Sequence, residues 1–238
     1  MAHALELIGE RWAILIIREL LMGPRRFTDL RAGLPTISPN VLTQRLEELE
    51  RSSIVVRRKL APPGVAWVYE LTNWGQELEP VLLALGCWAL RSPTFPEKRS
   101  ISANSFALGL RSMFHPAAAG ELEAAIELHV DDQTFRATIR RGEIEVETGA
   151  ADQPDVVVTG NPNVLVAVMH RGQSLAKALR DGELRLEGDE GKLRAFFGAF
   201  RAPAPAVPAF PAAPHLFGRR LPRKVPSGSR PKQTRRQV

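Results

Sequence analysis

The chain has 238 residues, of which 44% are hydrophobic and 24% are charged, a composition typical of a globular protein with one large or two small cores. Its single cysteine, Cys87, excludes an internal disulfide and a cysteine metal cluster. It has no run of about 18 apolar residues, and its N-terminus lacks a basic segment followed by an apolar one. These features predict a cytoplasmic protein that does not enter a membrane.

The net charge of +6 is distributed unevenly along the chain. Residues 1–91 carry +1 and residues 92–200 carry −4, whereas residues 201–238 hold 9 cationic residues and no acidic one. The excess charge therefore says nothing about the folded part. Breaks in pattern predict a first domain over 1–91, a linker over 92–100, a second domain over 101–200, and a disordered Pro/Ala-rich basic tail beyond it.

The first region begins with two predicted helices. Apolar residues recur at helical spacing over residues 5–20, and Gly23-Pro24 ends this first helix. The stretch RFTDLRAGL adds a short second helix, with Phe27 and Leu30 as its inward anchors.

A third helix follows directly and has two distinct faces. Ser38 can cap it, and Pro39 occupies its first position, where a missing N–H costs nothing. Leucines share the inner face, whereas Asn40 and Gln44 point the opposite way with Thr43 at the flank. Asparagine and glutamine can pair with adenine, and threonine can meet a thymine methyl. These five residues predict a recognition helix that enters a major groove; the alternative is an ordinary solvated face.

The next stretch, IVVRRKLAPPGVAWVYELT, predicts a β-hairpin with strands at 55–60 and 66–71 and a Pro-Pro-Gly turn. Its first strand carries Arg57, Arg58 and Lys59 in a row. Such a basic hairpin can contact the DNA backbone beside a recognition helix.

Two further cations, Arg25 and Arg26, begin the second helix, where they can contact a phosphate. Phosphates supply affinity and register, while bases supply discrimination. The order of helix, helix, recognition helix and basic hairpin predicts a winged helix-turn-helix. Arg45 could pair with Glu48 as easily as it could reach DNA.

Two stretches closely resemble the HxlR-type transcriptional regulators, over about residues 4–90. They are LIGERWAILIIRELLMGPRRFTDLRAGLPTISPNVLTQRLEELERSSIVVRR and VYELTNWGQELEPVLLALGCWA. The resemblance implies a dimeric winged-helix protein that binds double-stranded DNA. It carries the five recognition-helix residues and the three hairpin cations onto the family's recognition helix and wing. Members often have a cysteine ahead of the first helix, used by some as a redox or electrophile sensor. This sequence begins Met1-Ala2-His3, so either the given start is late or no thiol chemistry is sensed there.

A further predicted helix over residues 73–91 supports a homodimer. Six of its side chains lie near one broad face: Leu78, Val81, Leu82, Leu85, Trp88 and Ala89. A three-helix core with a wing cannot easily cover so much apolar surface, whereas a second copy's matching helix can. The alternative is that this helix packs only on its own domain.

The second region predicts an α+β unit, so the whole chain is predicted to be α+β. ELEAAIELHVDD and QTFRATIRRGEIEVETG alternate apolar and polar residues, and DVVVTG and ELRLEG add short strands. Three helices are predicted: one with Asn161 as its cap and Pro162 at its first position, one in SLAKALRDG and one in DEGKLRAFFGAF. Strands come first and helices after.

Two stretches resemble the sterol-carrier-protein type-two fold, over about residues 122–200: PDVVVTGNPNVLVAVM and ALRDGELRLEGDEGKLRAFF. That family holds an apolar ligand between its sheet and helices, which implies a similar pocket here. By analogy, its lining would comprise Leu165, Val168, Met169, Leu175, Phe196 and Phe197. The alternative is that these side chains simply fill the core.

Catalytic signals are poor. The sequence has no G-x-S-x-G, phosphate loop or H-E-x-x-H motif, and its five histidines give no metal-ligand spacing. We therefore expect no enzyme, cofactor or metal site. Two functions remain: a dimeric DNA-binding regulator modulated by a small apolar ligand or partner, or a lipid-type carrier that uses the winged helix only for dimerisation. The basic tail could attract phosphates or be an inert extension.

Overall fold

The computed structural model describes residues 1–60, 66–96 and 100–206, and these belong to one compact unit, Met1–Ala206. The predicted Pro-Pro-Gly turn, part of the predicted linker and most of the predicted tail lie outside the described residues. Two hydrophobic clusters organise the unit, one from the first half and one mainly from the second. The predicted domain boundaries themselves remain predictions.

The N-terminal half contains a helical bundle and a two-stranded hairpin. Its elements are α1 (Ala2–Ile8), α2 (Arg11–Leu20), α3 (Phe27–Gly33), α4 (Pro39–Arg51), β1 (Val55–Lys59), β2 (Trp67–Leu71), α5 (Asn73–Gln76) and α6 (Glu79–Leu90). The predicted first helix is in fact two, because Glu10 adopts an extended conformation (ψ 131°) and starts a new helix. Continuous apolar spacing hides such a break.

Helix α4 has the cap and inner face that its sequence predicts. The Ser38 hydroxyl accepts a hydrogen bond from the Val41 N–H at 3.3 Å, and Pro39 occupies the first position. Leu42, Leu46 and Leu49 are at most 1% exposed, and they pack into the N-terminal cluster. Both predictions are confirmed.

The hairpin is an antiparallel pair in which Arg57 lies opposite Tyr69. Tyr69 also exchanges backbone hydrogen bonds with Arg25, at 2.9 and 2.8 Å. The segment just before α3 is therefore joined to β2 by an isolated antiparallel β-bridge. With α3 and α4, this hairpin completes a winged helix-turn-helix.

The helix predicted over residues 73–91 is divided into α5 and α6. Pro80 has no N–H to donate to the carbonyl of Gln76, so the backbone ladder is interrupted between the two. Gly75 also lies against the backbone of Ile54, where a Cβ would come within 2.2 Å of the Ile54 carbonyl oxygen.

The C-terminal half begins with helices, not strands. Its elements are α7 (Ala103–Met113), α8 (Pro116–Ala119), β3 (Ala124–Val130), β4 (Gln133–Arg140), β5 (Glu143–Thr148), β6 (Val156–Gly160), α9 (Pro162–His170), α10 (Leu175–Arg180), β7 (Leu184–Gly188) and α11 (Glu190–Gly198). The prediction of strands before helices was wrong for this start. Ser102 caps α7 by accepting from the Ser105 N–H at 3.2 Å.

The C-terminal sheet has the order β5-β4-β3-β6-β7, with β3 and β6 parallel and the other pairs antiparallel. Alternate residues of β3 are buried, so one face of the sheet supports the C-terminal cluster. Helices α7, α9 and α11 contribute buried side chains to the same cluster. The arrangement is α+β, as predicted.

Candidate nucleic-acid interface

The N-terminal part of α4 presents polar side chains to solvent. Asn40, Thr43 and Gln44 are exposed, together with Ser38 and Pro39 at the helix start. The buried leucine stripe holds the opposite face of the helix against the bundle. The amide and hydroxyl groups predicted to contact bases are therefore accessible on one continuous face.

Acidic residues limit how far this face extends. Glu47 is exposed one turn after Thr43, and the Gln44 side-chain amide donates to Glu48 Oε1 at 3.0 Å. Arg45 is ion-paired with Glu48 and lies 3.9 Å from Glu10, so its charge is used within the protein. Because carboxylates repel phosphates, only the first two turns of α4 suit close approach to DNA.

The hairpin carries an exposed cation stacked on aromatic rings. The Arg57 guanidinium carbon lies 4.7 Å from the centre of the Trp67 ring and 5.8 Å from that of Tyr69. Burial raises the pKa of the Tyr69 phenol, although the nearby Arg57 charge opposes this, and the phenol stays protonated at neutral pH. Stacking orders the Arg57 side chain while leaving its charge available.

The other two hairpin cations differ in their surroundings. Arg58 is 46% exposed and its Nε lies 2.6 Å from Glu70 Oε1, so part of its charge is neutralised. Lys59 is exposed at the end of β1. Of the three, Arg58 would have to give up an ion pair to contact a phosphate fully.

The two cations before α3 lie in different environments. Arg26 is exposed, and its backbone N–H donates to Asp29 Oδ2 at 3.1 Å at the start of the helix. The Arg25 guanidinium instead donates to Asn104 Oδ1 at 2.9 Å and to Gln133 Oε1 at 2.5 Å. The predicted phosphate contact of Arg25 stays a prediction. Its observed partners lie 79 and 108 residues away, beyond the reach of any local sequence pattern.

Helix α6 has one covered and one open side. Leu83 packs against the C-terminal cluster, and Glu79 pairs with Arg111 of α7 at 2.5 Å. Val81, Leu85 and Trp88 are 53%, 43% and 71% exposed. Their spacing places these three, the apolar stripe of α6, on one side of the helix.

The six residues predicted to line an apolar pocket all lie in or against the C-terminal cluster. Leu165 and Phe196 are 0% exposed, and Leu175 and Phe197 are also buried. Val168 and Met169 are partly buried and pack against the cluster. In this state the six side chains serve as core residues.

Within the described ranges, no group of three or more histidine, cysteine or acidic residues is placed to hold a metal ion. No described helix combines the length and the apolar character needed to span a membrane. The surface features that stand out are thus the polar face of α4, the basic hairpin and the apolar stripe of α6.

An exposed recognition helix beside a basic hairpin defines a winged helix-turn-helix protein of the DNA-binding class. Residues 7–94 match the family described as HxlR-like helix-turn-helix. The chain belongs to the HxlR-like helix-turn-helix family.

Two relatives from Bacillus subtilis (strain 168) illustrate the match. The HTH-type transcriptional regulator YodB is 40% identical over 37% of this chain and 80% of its own length. The uncharacterized HTH-type transcriptional regulator YvaP is 38% identical over 36% of this chain and 80% of its own length. The solved reduced form of YodB, at 40% identity, covers 37% of this chain and 87% of that chain with a TM-score of 0.35.

The C-terminal half matches a different family from the one its sequence was expected to match. Residues 112–210 match the family described as alkyl sulfatase C-terminal. The resemblance to sterol carrier proteins is therefore not confirmed. The observed architecture, a five-stranded sheet with helices on one face, stands independently of either name.

Proposed function

We propose that the protein is a sequence-specific, dimeric DNA-binding transcriptional regulator. The single observation that carries this is the outward face of α4, where Asn40, Thr43 and Gln44 are exposed while the leucine stripe is buried. Amide and hydroxyl groups on such a face can read base edges in the major groove. YodB and YvaP, both described as HTH-type transcriptional regulators, support the same function.

In this proposal the hairpin and the start of α3 contact the DNA backbone. Arg57 and Lys59 supply exposed charge on the hairpin, and Arg26 supplies it beside α3. Arg58 contributes after partial release from Glu70. Contacts of this kind give affinity and register without sequence preference.

A homodimer would bury the apolar stripe of α6. A two-fold axis brings the same residues of two copies together, so Val81, Leu85 and Trp88 of one copy would meet their counterparts. Two recognition helices would then lie in successive major grooves, about 34 Å apart. The proposed operator is accordingly a palindrome with half-sites one helical turn apart.

We also propose that the C-terminal half resembles a sterol carrier protein in function and takes a small apolar ligand or partner. Val168 and Met169 on α9 are partly buried and pack against the cluster that contains Phe196 and Phe197, and the unbranched side chain of Met169 is of a type that can rearrange around a ligand. Occupancy there would alter DNA affinity. No catalysis, metal or cofactor is included, and we place the protein in the cytoplasm with the DNA that it binds.

A lipid-type carrier with a winged helix used only for dimerisation is the second candidate. The partly buried apolar side chains of α9 favour it. The intact polar face of α4 favours the regulator, because a scaffold helix needs no exposed amides there.

Fluorescence anisotropy of labelled DNA separates the two candidates. The purified full-length protein is titrated with its own upstream DNA and with a shuffled duplex of equal composition, at several salt concentrations. A regulator binds the upstream duplex at least about a thousandfold tighter than the shuffled one. Equal, weak binding to both would reject the proposal. Native mass spectrometry of the same preparation reports subunit number and any retained small molecule.

A further inference from the structure

A polar junction that is buried at its centre links the DNA-binding half to the C-terminal half. It consists of Glu19 and Arg25 from the first half and Asn104 and Gln133 from the second. Glu19 is 2% exposed and Asn104 is 1% exposed. Burying such groups costs free energy unless each finds a partner, so a junction of this kind has a defined geometry.

Asn104 forms the centre of the junction. Its Oδ1 accepts from Arg25 Nη2 at 2.9 Å, and its Nδ2 donates to Glu19 Oε2. An amide can accept and donate at once, whereas aspartate cannot donate to a carboxylate when ionised and leucine can do neither. Arg18 balances the Glu19 charge at 2.5 Å.

The junction touches both ends of α3. Arg25 lies two residues before the first residue of the helix, and its backbone is paired with Tyr69 of the hairpin. At the other end, a Cβ on Gly33 would lie 2.8 Å from Glu19 Oε2, so the carboxylate packs closely against the last residue of α3. A shift of the junction would move α3 and the hairpin together, and both flank α4.

We infer that Arg25 is a positioning residue of the DNA-binding surface and that Asn104 and Gln133 hold it. Its guanidinium faces the C-terminal half, where Gln133 begins β4. Arg25 therefore sets the position of the hairpin relative to α4 and does not neutralise a phosphate. The inference rests on the proposed function and gives the C-terminal half a direct mechanical role in it.

The test compares Gln133→Ala with Arg25→Ala, Arg25→Lys and their double variants, in the full-length protein. Gln173→Ala is the matched control, because its amide bonds Glu183 at 2.5 Å within the C-terminal half. Affinity for the upstream duplex is measured by anisotropy at several salt concentrations.

We expect Gln133→Ala and Arg25→Ala each to weaken binding by roughly three- to tenfold, with no further loss in the double variant. The slope of affinity against salt should be unchanged, since no phosphate contact is lost. Arg25→Lys should behave like Arg25→Ala, because the lysine side chain ends one bond short of Nη2, the atom that donates to both amides.

Two results of the binding assay would overturn the inference. One is a fall of about one in the salt slope for Arg25→Ala, with full affinity retained by Arg25→Lys. The other is a Gln133→Ala protein that binds like Gln173→Ala.

Hydrogen exchange at the Tyr69 amide, which donates to the Arg25 carbonyl at 2.8 Å, tests the junction without DNA. Faster exchange in Gln133→Ala than in Gln173→Ala would show that the junction holds the hairpin, whether or not the wild-type protein binds DNA, and equal exchange contradicts the inference.

Discussion

Two exposed helix faces in the N-terminal half differ in chemistry and therefore in what they require. The outer face of α4 is polar, with Asn40 and Gln44 in contact with solvent. The outer face of α6 is apolar, and Trp88 is 71% exposed there. Water satisfies amides at no cost, but it leaves a large apolar stripe without a favourable partner.

Exposure alone therefore does not identify a binding surface. The polar face can remain hydrated until a matching duplex arrives, so its occupant is transient. The apolar stripe gains about 25 cal/mol for each Å² that becomes buried, so it favours a lasting partner such as a second copy. The first two of the following experiments each change one of these faces and measure the binding that it is expected to support.

The largest expected effect is on the apolar stripe. Val81→Glu would place two carboxylates in a two-fold interface and weaken dimerisation by about 3 kcal/mol or more, which is roughly a hundredfold or more. Analytical ultracentrifugation at micromolar concentration should show a shift from dimer to monomer. Val56→Glu is the matched control, because Val56 is 41% exposed on the hairpin. If both variants sediment like the wild type, the stripe is not the dimer interface.

The polar face should show a smaller and more selective effect. Gln44→Ala should cost about 1–3 kcal/mol on the cognate duplex, with little change on shuffled DNA, because a base contact is lost. Arg58→Ala and Lys59→Ala should instead weaken binding to all DNA and flatten its salt dependence. Competition anisotropy measures both. Equal losses of Gln44→Ala on the two duplexes would contradict its role in base recognition.

A third change affects how the polar face is held. Ser38→Ala removes the cap on α4 and should lower the free energy of unfolding by about 1 kcal/mol. Thermal denaturation measures it, and Ser38→Asp should restore stability because a carboxylate also caps. If Ser38→Asp loses as much stability as Ser38→Ala, the side chain at position 38 does not act as a cap.

The smallest expected effect is on the pH dependence of stability, through His170 in the C-terminal half. Burial first, and then the charges of Arg171 and Arg201, hold the pKa of His170 below its usual value of 6.5. A lowered folded-state pKa contributes stability above pH 6.5 that is lost as pH falls toward the folded pKa. The melting temperature should therefore drop less in His170→Gln than in the wild type on acidification. His3→Gln, at an exposed site in α1, is the control.

Local patterns were enough to predict the recognition helix and the sheet. A capping serine, a proline at the first position and leucines at helical spacing are short-range signals, and α4 follows them closely. The C-terminal hairpins turn at Asp131 and Arg141, which adopt positive φ values of 54° and 53°. The HxlR-type resemblance was confirmed by the match over residues 7–94.

Other features of the fold were not predicted from the sequence, for identifiable reasons. The break at Glu10 lies inside an apolar pattern that continues across it. Helix α7 follows the predicted linker and is rich in small residues, so its amphipathic character is easily overlooked. Asn104 shares the buried face of α7 with apolar residues such as Ala107 and Leu108, and a polar residue on such a face was the available signal of a buried polar contact.

Local sequence is enough to specify which face of α4 is polar and where that helix starts, because both depend on neighbours within a few residues. The family is likewise read from the sequence, over residues 7–94. Two features follow only from the packing of the folded chain: Arg25 faces the protein interior, and α6 is covered on one side and open on the other. Arg25 meets partners that lie 79 and 108 residues away, and Glu79 of α6 meets Arg111, which lies 32 residues away. No periodicity in the chain encodes such contacts.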